Sequence, residues 1–279
     1  MSTPRNDKAL VTVIIGDDDY FKFWDENVRP SWQDYGARYG YDIIPIRDYL
    51  DPSPRGTERT PNWQKLLILE HPEVARYDRV VWLDTDILIN HHLAPCVVSR
   101  VPADHVGLVS SRAHDLTVHI KRSVGRVTSL DDMVAETYRA AGLDESVSDW
   151  ANTGVMVLTP ARHAAVLRHV YDTYEENPNS AKEELPLSNH LYGAHPVTAL
   201  DKRFNWPWIY HIFERYSFLL LDEFRGDIRL VTLCVNTAWA DSWFMHFTND
   251  RPLSRHHLRL VMRDKTIGQA YVAIKQALG

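Results

Sequence analysis

Two carboxylates, separated by one residue, are the side chains of this sequence best suited to bind a metal ion. Asp84 and Asp86 flank Thr85 inside the otherwise apolar run 79–89, which is predicted to be a strand. A buried carboxylate without a partner is very costly, so these acids must be paired or exposed at a strand end. In an extended chain they would lie on one side, about 7 Å apart. Such a pair suits Mn²⁺ or Mg²⁺; the alternative is two solvated acids at a strand end or helix start.

The elements around these acids indicate an α/β fold. Residues 9–15 form a nearly continuous β-branched run, which is typical of a strand buried on both faces of a parallel sheet. A helix is predicted over residues 21–39 and a second strand over 41–46. This β-α-β order predicts a mixed, mostly parallel sheet flanked by helices. Ligands collect at the carboxyl ends of such strands, which is where the turn-rich stretch 16–20 follows the first strand.

The rest of the chain continues this alternation. The Pro- and Gly-rich stretch 47–60 is predicted to be a loop and a candidate lid over a bound ligand. It is followed by a predicted helix to Glu70 with Thr60 as its N-cap. Ser129 and Gly142 are predicted to cap the two ends of another helix. Further strands are predicted over 106–110, 150–158, 229–234 and 243–247, and further helices over 160–176 and a long C-terminal stretch. No repeat or linker divides the chain, so one domain is expected.

Composition excludes several classes of function. A net charge of -6 argues against a general binder of nucleic acids or other polyanions. Cys96 and Cys234 cannot build a disulfide framework and lack the spacing of a zinc site. No apolar run approaches the ~20 residues of a membrane-spanning helix. We therefore expect a cytoplasmic protein; peripheral contact with a membrane and the oligomeric state stay open.

Three segments together resemble a known group of enzymes. Residues 63–69, 77–89 and 152–158 look like the GT-A glycosyltransferases. The closest patterns are those of glycosyltransferase family 8, the glycogenin and lipopolysaccharide-galactosyltransferase type, and of the galactomannan galactosyltransferases. The resemblance implies a single Rossmann-like GT-A domain over residues 1–279. Residues 1–110 would mainly bind nucleotide and metal, and 111–279 would mainly bind the acceptor and end in a helix.

The same resemblance implies an activity and a cofactor. The enzyme would move a hexose or similar sugar from a nucleotide-sugar, with a UDP-linked donor favoured, to a glycan or other hydroxylated acceptor. Retention of anomeric configuration is favoured by the family alone. Mn²⁺ or Mg²⁺ would be held by Asp84, Asp86 and the late His246. Without the resemblance, a lone His beside apolar residues is more often structural.

Donor-binding residues are carried over by their positions in the motifs. Asp17, Asp18 and Tyr20 fall where the family holds base and ribose, although a plain acidic turn is the alternative. Lys65 lies where a basic residue faces the phosphates; a solvated lysine is the alternative. The remaining predicted donor contacts are the motif residues Asp84, Thr85, Asp86, Asn152, Thr153 and Gly154, together with Arg251.

A further set of residues is predicted to act on the reacting sugar or the acceptor. Glu184, slightly preferred over Glu183, would stabilise an oxocarbenium-like transition state or act as a nucleophile, assisted by Asn152. A charged helix start is the alternative for the two glutamates. The stretch 203–205 resembles a segment that builds the acceptor side. The basic stretch 111–127 would contact an anionic acceptor or form a solvated loop.

Two rival functions stay open. A sugar nucleotidyltransferase also uses acids and a metal, but it usually begins with a Gly-rich basic loop, where this chain has Gly16 followed by three Asp. A non-catalytic binder of nucleotide-sugars or glycans is the second rival. It is supported by residues 248–255, which replace the Gly and Lys-Pro-Trp stretch that the family usually has after His246.

Overall fold

The computed structural model describes residues 6–114, 129–176, 183–248 and 252–278. Its strands are β1 Lys8–Val13, β2 Tyr41–Ile46, β3 Arg79–Leu83, β4 Ile87–Ile89, β5 Val106–Leu108, β6 Val155–Leu158, β7 Val197–Ala199, β8 Trp206–Pro207 and β9 Phe244–His246. Its α-helices are α1 Asp18–Asn27, α2 Arg29–Tyr39, α3 Pro54–Glu58, α4 Leu130–Ala140, α5 Pro160–Thr173, α6 Glu184–Ala194, α7 Trp208–Arg215, α8 Asp222–Arg225, α9 Ile228–Asp241, α10 Pro252–Arg259 and α11 Ile267–Leu278. A long 3₁₀ helix spans Pro61–Glu70.

The strands form two sheets. The larger has the order β2-β1-β3-β6-β5-β7, and the smaller has the order β4-β9-β8. In the larger sheet β1 is parallel to β2 and β3, and β5 is parallel to β7. Strand β6 runs antiparallel between β3 and β5. The predicted α/β class with a mixed, mostly parallel sheet is therefore confirmed.

Helices cover both faces of the larger sheet, as the apolar run in β1 predicts. Leu10 packs into a cluster with residues of α1, α2 and α9. Its neighbours Ala9 and Val11 point the other way and pack against the 3₁₀ helix and α5. Because successive side chains of a strand face opposite sides, a strand buried on both faces is mostly apolar along its whole length.

The predicted strand over residues 79–89 is wrong as a single element. Strand β3 ends at Leu83 in the larger sheet, and β4 begins at Ile87 in the smaller one. Between them the chain turns, and the Ile87 N–H donates to the Asp84 carbonyl at 3.3 Å. The two acids therefore lie at the junction of the sheets, not along one extended strand.

Four further predictions also need correction. The helix predicted over 21–39 is two helices, because Pro30 in the first turn of α2 cannot continue α1. Residues 229–234 are helical, within α9, where buried residues recur at helical spacing and override the β-branched composition. The C-terminal stretch is divided into α10 and α11. Thr60 precedes a 3₁₀ helix and its side chain makes no capping hydrogen bond.

Other predicted boundaries are close. Ser129 caps α4 by accepting from the Asp132 N–H, and Gly142 follows that helix with a φ of 68°. The strands predicted over 9–15, 106–110 and 150–158 are each shorter in the structure. Helix α5 ends at Thr173, three residues before the predicted end at Glu176. Among the described residues, no helix combines the length and apolar character needed to cross a membrane.

The segment 47–60 is fastened to the end of α5. Arg59, whose side chain is 5% exposed, donates to the carbonyls of Tyr171 at 3.0 Å and Tyr174 at 2.7 Å. The Tyr171 hydroxyl donates to Asp51 at 2.5 Å. Cations are favoured beside the unpaired carbonyls of a helix C-terminus. These contacts count against the predicted role of this segment as a mobile lid.

We predict that Trp32→Phe lowers the free energy of unfolding by about 2–4 kcal/mol. Trp32 is fully buried, packs edge-on against Trp24 at 5.4 Å and donates its indole N–H to the Ile87 carbonyl at 2.8 Å. The substitution leaves that carbonyl unpaired and opens a cavity. Urea unfolding is the measurement. Tyr271→Phe, at a side chain that is 54% exposed, is the control and should change stability little.

Candidate metal centre and active site

Three predicted metal ligands converge where the two sheets meet. Asp84 and Asp86 come from the turn between β3 and β4, and His246 ends β9, where it is paired in register with Ile87. One ligand atom from each of the three lies within 4.8 Å of the others. His246 Nε2 is 3.1 Å from Asp86 Oδ1 and 3.7 Å from Asp84 Oδ2.

These separations fit a hard divalent cation. Metal–ligand distances of about 2.1 Å put neighbouring ligands of an octahedral ion about 3 Å apart. Asp86 Oδ1 is buried and has no hydrogen-bond partner in the described structure, although His246 Nε2 lies beside it. Either a proton or a metal ion must therefore lie between these two atoms.

The orientation of His246 is set by hydrogen bonds behind it. Asn205 donates from Nδ2 to the backbone oxygen of Asn152 at 2.9 Å and to its Oδ1 at 3.0 Å. Asn205 Oδ1 is consequently the acceptor that faces His246 Nδ1, at 2.8 Å. The Nδ1–H donates to it, which leaves Nε2 facing the two aspartates, where it could bind a metal ion.

Lys65 holds the first aspartate from inside the protein. Its Nζ is 3.2 Å from Asp84 Oδ1 and 2.9 Å from Glu183 Oε1, and its side chain is 3% exposed. Trp82 Nε1 donates to the same Asp84 oxygen at 2.9 Å. Burial alone would lower the pKa of Lys65, but Asp84 and Glu183 raise it, so the lysine stays charged. Its predicted contact with donor phosphates stays a prediction.

The cluster carries an excess of negative charge. Burial works to raise the pKa of Asp84, but the charges of Lys65 and His246 hold it below its usual range. Burial lowers the pKa of His246, whereas Asp86 and Asp84 raise it more strongly. Asp84, Asp86 and Glu183 thus face one lysine and one histidine, and an added cation would balance the charge.

The two candidate catalytic glutamates have different environments. Glu183 is 2% exposed and is paired with Lys65, whereas Glu184 is partly exposed at the start of α6. Burial, and then the charge of Glu183, raise the pKa of Glu184 to about 7. Asn152 Nδ2 donates to Glu184 Oε2 at 2.7 Å. The two glutamates therefore differ. Glu183 forms a buried ion pair with Lys65, whereas Glu184 has accessible surface and a raised pKa.

The ring of His246 leaves no room for a side chain at Gly154. A Cβ at this position would lie 2.3 Å from His246 Cε1, far inside van der Waals contact. The Gly154 N–H donates to Asn152 Oδ1 at 3.1 Å, and the Gly154 carbonyl accepts from the Asp84 N–H at 2.9 Å. Thr153 is fully buried, which puts its side chain out of reach of a ligand. The position of the His246 ring therefore explains why residue 154 has no side chain.

The residues after β1 reach the same turn. Asp17 accepts from the Tyr20 N–H at 2.9 Å and caps α1, while Asp18 is exposed in the first helical turn. The Tyr20 hydroxyl lies 2.5 Å from Thr85 Oγ1. Tyr20 and Thr85, both predicted donor contacts, are thus brought together beside the candidate metal ligands.

Some predicted site residues lie elsewhere. Arg251 and most of the basic stretch 111–127 fall outside the described residues. Of that stretch, Arg112 is paired with Asp131. His114 is 8% exposed, and burial lowers its pKa to about 4. Neither is a free cation for an anionic acceptor.

Asn205 was predicted to belong to the acceptor side, and its role behind the histidine was missed. The contact between Asn205 and His246 joins residues 41 apart and depends on the register of β8 against β9. The sequence gives no signal for that register, because β8 has only two residues.

Comparison with known proteins identifies the fold. No family model and no curated protein matches the sequence. A glycosyltransferase involved in glycosylation of the major capsid of PBCV-1 is similar in structure, with a TM-score of 0.51 and 12% identity over 91% of this chain and 100% of the other.

Two further structures are similar. The bifunctional glycosyltransferase WbbM has a TM-score of 0.51 and 10% identity over 98% of this chain and 52% of the other, so this chain spans about half its length. The galactosyltransferase LgtC, solved with donor and acceptor sugar analogues, has a TM-score of 0.43 and 14% identity over 95% of this chain and 99% of the other. The first two likenesses confirm the predicted architecture: this chain has the GT-A fold of glycosyltransferases.

Proposed function

We propose that this protein is a metal-dependent glycosyltransferase that moves a hexose or similar sugar from a UDP-linked donor to a glycan or other hydroxylated acceptor, with retention. The observation that carries the proposal is the convergence of Asp84, Asp86 and His246 at one junction of a GT-A fold. A fold alone does not define an activity, so the proposal depends on this site.

The three convergent side chains would hold Mn²⁺ or Mg²⁺. Carboxylate oxygens and an imidazole nitrogen are suitable ligands for these ions. The ion, when bound, supplies a Lewis acid that neutralises the negative charge developing on the leaving diphosphate. Lys65 keeps Asp84 ionised and fixed from the interior side, at 3.2 Å.

We assign Glu184 the role of the carboxylate beside the reacting sugar. Its exposed surface, its hydrogen bond from Asn152 and its raised pKa support this assignment over Glu183, which is committed to Lys65. In its ionised form Glu184 would stabilise positive charge at the anomeric carbon or attack it as a nucleophile. Either role is compatible with retention.

The donor would lie along the turn that carries the metal ligands. Tyr20 and Thr85, which contact each other, are proposed to bind the nucleotide together with Asp17 and Asp18. Arg251 is proposed to contact the diphosphate in place of the lysine usual in the family. A cytoplasmic site of action also stays a prediction.

One assay separates the proposal from its rivals. The protein is incubated with several UDP- and GDP-sugars and Mn²⁺, and release of nucleoside diphosphate is followed. Release supports transfer or slow hydrolysis of the donor. Pyrophosphate release from a nucleoside triphosphate plus a sugar phosphate would indicate a nucleotidyltransferase, and binding without turnover would indicate a non-catalytic relative.

We predict that Asp86→Asn reduces Mn²⁺-dependent nucleotide release by about 100-fold or more. The amide preserves the shape of the side chain but removes its negative charge, so that the buried oxygen beside His246 becomes a weaker ligand for a cation. Nucleotide release at saturating donor is measured together with the melting temperature. Asp104→Asn, at an exposed acid before β5, is the control and should retain activity. Full metal-dependent activity of Asp86→Asn would refute the metal assignment.

We predict that Glu184→Gln stabilises the metal-free protein at pH 8 but not at pH 5. The unfolded carboxyl ionises near 4.5 and the folded one near 7, so the folded state retains a proton through this window. Stability is therefore lost as pH rises from 4.5 to 7, by on the order of 1–3 kcal/mol. Glutamine does not titrate and avoids this loss.

Thermal unfolding in EDTA at both pH values tests that prediction, and nucleotide release from the same variant tests the role of Glu184. The same substitution should lower activity by about 100-fold, because a neutral amide cannot stabilise the developing positive charge. An equal stability difference at pH 5 and pH 8 would show that the pKa of Glu184 is not raised.

A further inference from the structure

Asn205 lies buried between the candidate metal ligand His246 and Asn152. It is 1% exposed and lies just before β8, which pairs in parallel with β9 so that Pro207 is opposite His246. Its amide oxygen faces His246, and its amide nitrogen faces Asn152. One buried side chain thus connects a candidate metal ligand with the residue that contacts Glu184.

Every polar group of this amide is used. The oxygen accepts from His246 Nδ1 at 2.8 Å. The nitrogen donates its two hydrogens to the backbone oxygen and the side-chain oxygen of Asn152, at 2.9 and 3.0 Å. An asparagine nitrogen has only two hydrogens to donate. Asn205 therefore has no donor left for a substrate, which argues against the direct acceptor contact that the sequence suggested.

The bond to His246 defines which nitrogen can bind a metal. With Nδ1 donating to Asn205, the ring directs Nε2 toward Asp86 at 3.1 Å. The other side of the ring is confined by Gly154, where even a Cβ would clash. The ring can neither rotate nor exchange its two nitrogens without losing a buried hydrogen bond.

The bonds to Asn152 define the direction of the second amide. Because Asn152 Oδ1 accepts from Asn205 and from the Gly154 N–H, its Nδ2 must point the other way. There it donates to Glu184 Oε2 at 2.7 Å. Asn205 therefore orients the candidate metal ligand His246 directly, and it orients Glu184 through Asn152.

We propose that Asn205 is a positioning residue that couples the His246 metal ligand to Glu184 through Asn152. The inference deepens the proposed function and rests on it for the role of Glu184, but its metal-binding part can be measured without turnover. It assigns Asn205 two separable tasks, accepting from the histidine and donating to Asn152.

Two substitutions separate these tasks. Asn205→Ala removes both and should weaken Mn²⁺ binding about 10- to 100-fold, as loss of a hydrogen-bond partner behind a ligating histidine does. Asn205→Asp keeps an acceptor for His246 Nδ1–H but cannot donate to Asn152. Its Mn²⁺ affinity should stay within about threefold of wild type, since a carboxylate is a common partner of a ligating histidine.

The two variants should differ less in activity. In Asn205→Asp the Asn152 amide is expected to rotate and donate to the new carboxylate, which removes its hydrogen bond from Glu184. Nucleotide release at saturating Mn²⁺ should therefore fall about 10-fold or more in both variants. Mn²⁺ dissociation constants are measured by electron paramagnetic resonance, and nucleotide release is measured separately.

Asn236→Ala is the matched control. Asn236 is a buried amide, 3% exposed, that bonds to the carbonyls of Thr232 and Leu260 and to the Met262 N–H. These partners lie on α9 and the segment before α11, away from the three candidate ligands. Its loss should lower the melting temperature but leave Mn²⁺ affinity within about twofold, since the site is not touched.

The outcomes are distinguishable from failure of the proposed function. If wild-type protein releases no nucleotide but Mn²⁺ affinity falls in Asn205→Ala and not in Asn205→Asp, the positioning of His246 stands and the transferase proposal fails. If both variants bind Mn²⁺ like wild type, or lose affinity equally, the inference is overturned. Should Asn205→Ala not fold, Asn205→Asp decides: weakened Mn²⁺ binding or unchanged activity in that variant overturns the inference.

Discussion

The structure depends on how it accommodates buried negative charge at the junction of two sheets. Asp84 sits between Lys65 on the interior side and His246 on the other, at 3.2 and 3.7 Å. Even a partly buried carboxylate costs free energy to ionise when it has no partner. The lysine stabilises one oxygen of the aspartate, which leaves the other available to a cation. The rest of the site follows from the need to bring compensating groups to this turn.

Several features that look independent in the sequence are consequences of that need. Gly154 has no side chain because His246 occupies the space where a Cβ would be. The Asn205 amide uses its oxygen and both of its N–H groups in hydrogen bonds with His246 and Asn152. Such a network of amides is stable only when every donor and acceptor is paired, since an unpaired buried polar group is expensive. Its rigidity would keep the ligand nitrogen in place before a metal ion arrives.

Glu184 is a carboxylate whose negative charge this network compensates poorly. Burial and the nearby charge of Glu183 raise its pKa, and Lys65 only partly offsets them. Ionising such a carboxylate reduces the stability of the fold. Perturbed pKa values of this kind are frequent among catalytic groups. The anchoring of segment 47–60 differs, because there the buried Arg59 guanidinium is paired with the Glu175 carboxylate. The contrast supports Glu184 as a functional rather than a structural acid.

The sequence by itself determined the α/β class, most of the strands near the N-terminus and the three candidate metal ligands. Local patterns decided the class, the strands and the two acids: a β-branched run for β1, and Asp84 and Asp86 interrupting an apolar run. His246 was predicted only from the resemblance to glycosyltransferase family 8. Only the tertiary structure decided that residues 79–89 change sheets, that 229–234 are helical and that Glu183 and Glu184 differ. Each of these depends on contacts between distant segments. The partnership of Asn205 and His246 is the clearest case, because the pairing of β8 with β9 creates a contact that no local propensity encodes.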